Sequence, residues 1–228
     1  MTYRIGVEDI EPRHWVAWVF DLPGCYSKAV NREDAIAGVP SRIADYFDWL
    51  ASHQNQPGKP PGDIEVEIAE SFQSFVSEGD YIVNAFFEDD RRPMNPDYVE
   101  HIRSLLGFTR NDLTRLVDGI SAEQRQTPVP GEVQGTIDGI LKHVAWAEWW
   151  YFDSLNLAFP QEEMPQDVLR MLDRVREHTL RQLPLLTNND TLTERMGERW
   201  SARKIVRRTL WHERAHTEQI IRYLKRMP

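Results

Sequence analysis

Hydrophobic positions change their rhythm near residue 95. Before it they come in short runs. TYRIGV (Thr2–Val7), HWVAWVF (His14–Phe20), IEVEI (Ile64–Ile68) and YIVNAFF (Tyr81–Phe87) are rich in β-branched and aromatic residues and bounded by turn formers, which predicts strands. Between the second and third runs, Ile36, Val39, Ile43, Phe47 and Leu50 recur every three or four positions. That spacing predicts a helix over 32–53, with Pro40 in its first turns or at a kink. The Pro- and Gly-rich stretch 54–63 reads as a loop, and the charged, Pro-containing stretch 88–97 as a linker. The sum is a small β-β-(β)-α-β-β unit.

After the linker the apolar spacing becomes helical over long distances. A first helix is predicted over 96–119, with Ile102, Leu106, Thr109, Leu113, Leu116 and Ile120 on one side. A second covers 136–157, with Ile137, Ile140, Leu141, Val144 and Tyr151; a third covers 165–186, with Val168, Met171, Leu172, Val175, Thr179 and Leu183. The fourth follows Ser201, a good N-cap, and runs to about residue 226. Each helix must bury its stripe, and four such helices pack most simply as a bundle. The expectation is an α+β chain of two domains, residues 1–90 and 91–228.

Composition narrows the partners. A net charge of −9 disfavours nucleic acid. No apolar run is long enough to span a bilayer, and the first residues lack the build of a signal peptide, so a cytoplasmic location is expected. The single cysteine, Cys25, excludes an intrachain disulfide; beside Gly24 it reads as a small turn residue more readily than as a reactive thiol.

Candidate chemistry gathers in the last helix. His212, Glu213 and His216 spell H-E-x-x-H, and the two imidazoles leave one helical face together with Ile205, Thr209, Ile220 and Tyr223. Such a pair binds one divalent metal, or it is a hydrogen-bonded core pair; spacing leaves both open. A metalloprotease would need a further ligand downstream. Twelve residues follow His216 here, and Glu218 lies too close on the same helix, so a protease is disfavoured. Upstream, His143 at the edge of the second helix's stripe can converge with the pair inside a bundle. Three histidines with open positions make a catalytic type of site. Glu213 and Glu148 are the candidate catalytic carboxylates. Either could instead hydrogen-bond a ligand imidazole or pair with an arginine. Trp146, Trp150 and Trp211 are candidates for the wall of a cofactor pocket, though aromatics of this kind usually pack a core or an interface. His14, His53, His101 and His178 read as surface or boundary residues.

Two resemblances extend this reading. D-L-P-G-C at Asp21–Cys25, then Ser27 and R-E-D-A at Arg32–Ala35, resemble HicB-like domains over roughly residues 1–70. That implies a partial ribonuclease-H-like β-β-β-α-β fold used for binding or oligomerisation, without catalytic residues. The basic helix-turn-helix that would make it bind DNA is missing. The second resemblance rests on H-x-x-x-x-E-W-W-Y from His143, on W-S-A-R-K-I from Trp200, and on His212 and His216. Over residues 97–228 this is similar to the DinB family of damage-inducible four-helix bundles. It implies a divalent-metal site at His143, His212 and His216 holding Zn²⁺ or Ni²⁺, and a homodimer. Relatives in the wider superfamily use low-molecular-weight thiols in transferase or isomerase reactions. The chain is therefore expected to be a metal-dependent hydrolase or thiol-dependent transferase or isomerase acting on an unidentified small molecule. The alternative is a non-enzymatic binding or regulatory protein, in which the HicB-like part mediates interaction and the metal is structural or absent.

Overall fold

A computed structural model describes residues 1–11, 14–54, 62–77, 79–131 and 133–226. Most of the loop expected over 54–63 lies outside them. The chain divides into two compact units, one of residues 1–92 with 194–200, the other of residues 93–193 with 201–228. It is a mixed α+β architecture, as expected.

The first unit holds a four-stranded sheet. β1 (Thr2–Glu11) pairs antiparallel with β2 (His14–Val19), and β2 with β3 (Tyr26–Ala29). After the helices α1 (Arg32–Ala37) and α2 (Val39–Gln54), β4 (Glu65–Gln73) returns parallel to β1, giving the order β3-β2-β1-β4. Tyr3, Ile5, Val7, Ala17 and Val19 from the sheet share a core with Ala35, Val39, Ile43 and Tyr46 from the helices. Cys25 is buried in that core, its thiol within 3.5 Å of the Arg42 carbonyl, as a packing residue.

Three expectations change in detail. The helix predicted as continuous over 32–53 is broken at Gly38, which caps α1, and Pro40 falls in the first turn of α2, where its missing N–H costs nothing. The stretch 88–97 carries the junction between the units, at 92/93, as a linker should, but part of it is buried. Asp89, Asp90 and Met94 are buried. Asp90 accepts from the Phe87 amide at 2.9 Å, and Asp89 takes Arg92 at 2.9 Å and Arg4 at 3.4 Å, so the acids are satisfied where they are. Of the strand expected over 81–87, only Ile82–Val83 (β6) pairs, antiparallel to Phe75–Val76 (β5).

The hairpin of β7 (Thr193–Arg195) and β8 (Glu198–Trp200) turns at Met196 and Gly197, both with positive φ. Gly197 accepts that conformation freely, whereas Met196 is strained there. Glu198 is fully buried and accepts from Tyr81 Oη at 2.7 Å and from the Asn84 amide at 3.2 Å, while Ser77 Oγ donates to the Met196 carbonyl at 2.8 Å. These bonds explain why a hairpin lying late in the chain belongs to the first unit.

The second unit is built on four long helices, α3 (Pro96–Asp118), α5 (Ile137–Asp153), α6 (Val168–Gln182) and α7 (Ala202–Leu224), with a short α4 (Ala122–Gln126). Each long helix starts on a side-chain cap. Asn95, Thr136, Asp167 and Ser201 each accept from the amide three residues on, and Pro96 occupies the first position of α3. One core takes Leu113 and Val117 from α3, Ile140, Leu141 and Val144 from α5, Met171, Leu172 and Val175 from α6, and Ile220 and Tyr223 from α7. α5 packs on both α6 and α7, and α7 also on α3. The helix after residue 165 begins only at Val168 and ends at Gln182, continuing as a 3₁₀ turn over Leu183–Leu186 because Pro184 cannot donate to the α-helical ladder. No helix is long and apolar enough to cross a membrane among the described residues.

Gly6 sits in β1 where a Cβ would lie 2.5 Å from Phe20 and 2.8 Å from Phe87, two buried rings packed edge to face. Gly6→Ala should therefore destabilise the protein by about 1–3 kcal/mol through overpacking. A lowered urea midpoint in equilibrium unfolding would show it; an unchanged midpoint would mean that the rings move aside freely.

Candidate metal centre

The two helices that carry the histidines are neighbours, α5 with His143 and α7 with His212 and His216. α7 turns Ile205, Thr209, His212, Ile220 and Tyr223 inward, all of them buried. His212 is thus drawn into the interior by the apolar residues above and below it. His216, one turn on, is half-buried, and His143 is exposed. The site is closed on the His212 side and open on the His143 side.

The three rings converge on their Nε2 atoms. His212 Nε2 lies 3.0 Å from His143 Nε2 and 3.1 Å from His216 Nε2, and one ligand atom from each ring falls within 4.8 Å of the others. A neutral imidazole carries one ring proton, so the His212 nitrogen can serve one of these contacts well and the other poorly. A cation between the rings meets three lone pairs instead. Three nitrogens on one tetrahedral zinc would stand about 3.3 Å apart, close to the 3.0 and 3.1 Å that separate His212 from the other two. The donor set therefore fits a borderline divalent metal.

Burial favours the neutral form of His212 and His143, the form a ligand needs. Desolvation lowers the His212 pKa well below 6.5, and His216, His143 and Arg208 push it the same way. Desolvation also lowers the pKa of His143, exposed though its edge is. Tyr151 meets His212 edge to face at 6.0 Å, and Trp211 lies 5.8 Å from the same ring. On the far side, His216 Nδ1 is 2.6 Å from Gln219 Oε1.

The two candidate carboxylates are elsewhere engaged. Glu148 Oε1 accepts from Arg176 Nε at 2.8 Å, and its Oε2 accepts from Arg176 Nη2 at 2.9 Å and Arg110 Nη2 at 3.0 Å. Glu213 Oε1 accepts from Arg110 Nε at 2.6 Å; its Oε2 accepts from Thr109 Oγ1 at 2.5 Å and Arg176 Nη2 at 2.8 Å. Arg110 also donates to the Leu172 carbonyl, and Arg176 to that of Leu106. Two cations and two anions, one from each long helix, form a neutral buried tetrad. Burial alone would raise the Glu213 pKa, but Arg110 and Arg176 outweigh it and hold the carboxyl at about 2. Desolvation opposes the charge on Arg176 too, yet Glu148 and Glu213 raise its pKa. All four carboxylate oxygens have partners, and none is among the ligand atoms that converge between the histidines. A carboxyl held at about 2 is poorly matched to accept a proton near neutrality.

Of the three tryptophans expected to wall a pocket, Trp211 is placed against a ligand ring. Trp146 stands edge to face on Trp149 at 5.6 Å, beside the helical core, and Trp150 meets Tyr151 at 5.9 Å. Trp149 instead ties down the segment after α5, donating to the Phe159 carbonyl at 2.9 Å. His178 does likewise, with Nε2 at 2.6 Å from the Leu157 carbonyl, and His53 caps its own helix at the Trp49 carbonyl. Sequence reasoning missed Arg110, Arg176 and Gln219, and took Thr109 and Tyr151 as stripe residues alone. Arg176 had a signal, because it falls inside the apolar stripe Leu172–Val175–Thr179.

Comparison with known proteins agrees with the helical half. The family model described as the DinB superfamily matches residues 105–220. No curated protein and no solved structure matches the chain.

Removing one member of the tetrad strands an opposite charge, so Arg176→Met should cost about 3–5 kcal/mol in urea unfolding. Acid should act at two levels in the metal-free protein. His212 and His143 bind protons less readily folded than unfolded, so stability falls as pH drops below 6.5. Glu213 adds a further loss from its ordinary 4.5 down to about 2. Urea midpoints across this range should show both declines, and a flat profile would contradict them.

Proposed function

The chain belongs to the DinB superfamily, and from that premise we propose that residues 97–228 form a DinB-like four-helix bundle whose three histidines bind Zn²⁺ or Ni²⁺. On this reading the protein is a metal-dependent hydrolase, or a transferase or isomerase using a low-molecular-weight thiol, acting on a small molecule. The observation that carries it is the convergence of three Nε2 atoms at one edge of the helical unit, with His143 exposed there. Three protein ligands leave positions for a substrate, which a closed structural site would not. A divalent cation held there would supply Lewis acidity, acidifying a thiol or a water and polarising a carbonyl.

The protein's own residues divide the remaining work. His212, buried and neutral, anchors the site from the interior, and Tyr151 and Trp211 bracket its ring. We assign Glu148 and Glu213 to holding the helices in place, not to moving protons, because their oxygens are committed to arginines. Proton transfer then falls to solvent or to the substrate's own groups on the exposed side.

The first unit is a HicB-like module in this proposal. The succession β-β-β-α-α-β, with one helix more than the expected pattern, and the sheet order β3-β2-β1-β4 are consistent with that. It also sustains the second reading, in which that unit binds a partner and the chain is not an enzyme.

Elemental mass spectrometry on protein purified without a nickel column decides the central point. About one equivalent of zinc or nickel per chain is expected, lost in both His143→Ala and His212→Ala. Absence of metal, or metal that survives the loss of His143, would end the three-histidine reading. A screen with small thiols and electrophiles then separates enzyme from binding protein.

A further inference from the structure

We propose that Gln219 is a positioning residue that fixes the ring tautomer of His216 and so presents its Nε2 lone pair to the metal. The proposal rests on the three-histidine metal reading above and extends it to a residue that is not a ligand. Gln219 lies three positions after His216 on α7, so the two side chains meet on one face. Its Oε1 stands 2.6 Å from His216 Nδ1. An amide oxygen only accepts, so the ring nitrogen facing it must be the one that carries the proton. A neutral ring protonated at Nδ1 has its lone pair at Nε2, the atom that faces His212 Nε2 at 3.1 Å.

Two further contacts agree with this direction of the Gln219 amide. Its Nε2 donates to Tyr223 Oη at 3.0 Å and reaches Gln134 Oε1 at 3.3 Å. Turned the other way, the amide would bring its oxygen against the Gln134 oxygen and its NH₂ group against His216. The main chain at Gln134 is held by the segment ahead of α5, where the Thr136 amide donates to the Gln134 carbonyl at 2.8 Å and the Val129 amide to the Gly135 carbonyl at 2.7 Å. Gly139 allows that segment to close on the helix, since a Cβ there would collide with the Gln134 carbonyl. A turn outside the helices thus reaches the ligand ring through two amides. Partners of this kind orient metal-ligating imidazoles and strengthen their binding.

The test compares the full-length protein with Gln219→Met, which keeps the length of the side chain but accepts weakly, and Gln219→Glu, which keeps an acceptor. Two-bond proton–nitrogen correlation spectra of the imidazoles, recorded without metal, read the tautomer directly. Wild type and Gln219→Glu should show His216 protonated at Nδ1, and Gln219→Met should show a mixture. Zinc affinity, measured by competition with a chromophoric chelator, should fall about tenfold or more in Gln219→Met and stay near wild type in Gln219→Glu. A His216 ring still wholly protonated at Nδ1 in Gln219→Met overturns the assignment, whatever the affinity. So does a ring protonated at Nε2 in Gln219→Glu, which guards against a Met variant that fails to fold. The spectra are taken without metal, so a wild-type protein that takes up no zinc would end the metal reading while the tautomer is still decided by its own measurement.

Discussion

Four charges meet among the long helices, three of them buried and Arg110 nearly so, and the second unit is organised around satisfying them. Arg110, Glu148, Arg176 and Glu213 come one from each helix, so no helix can slide or rotate without breaking an ion pair. Taking such groups out of water costs several kcal/mol per ion, and only good geometry with further hydrogen bonds recovers it. Here the further bonds exist, from Thr109 and to two backbone carbonyls. The stability gained over an apolar core is small by this argument. What the tetrad supplies is register, because apolar stripes alone tolerate sliding by a turn.

Register matters most at the histidines. Glu213 follows His212 directly, and Glu148 lies little more than one turn beyond His143. Fixing the two carboxylates therefore fixes the rotation of α5 and α7 about their own axes, and with it the directions in which the ligand rings leave. Helix caps set the beginning of each helix, the shared core sets their separation, and the tetrad sets their phase.

The three histidines were legible because helical spacing and an apolar stripe together constrain direction. The cost of a carboxylate at Glu148 was legible too, but not its partners, since an arginine from another helix leaves no trace in local spacing. The periodicity through Ile36, Val39 and Ile43 runs unbroken across Gly38, which is why one helix was expected where two stand. Charge and proline marked 88–97 as a linker but could not show that Asp89 within it is buried and paired with Arg4, more than eighty residues away. The hairpin at 193–200 escaped notice because Met-Gly is an unusual turn pair and its stabilising acceptor bonds come from Tyr81 and Asn84.

That hairpin alters how separable the two halves are. The chain passes between its units at 92/93, at 193/194 and at 200/201. A cut near residue 92 would leave the early fragment without the carboxylate that Tyr81 and Asn84 bind, and the late fragment with an orphaned hairpin between α6 and α7. Neither half is a detachable cassette. The strand-rich unit is thus made of two separated stretches of chain, and the α6–α7 connection supplies the second.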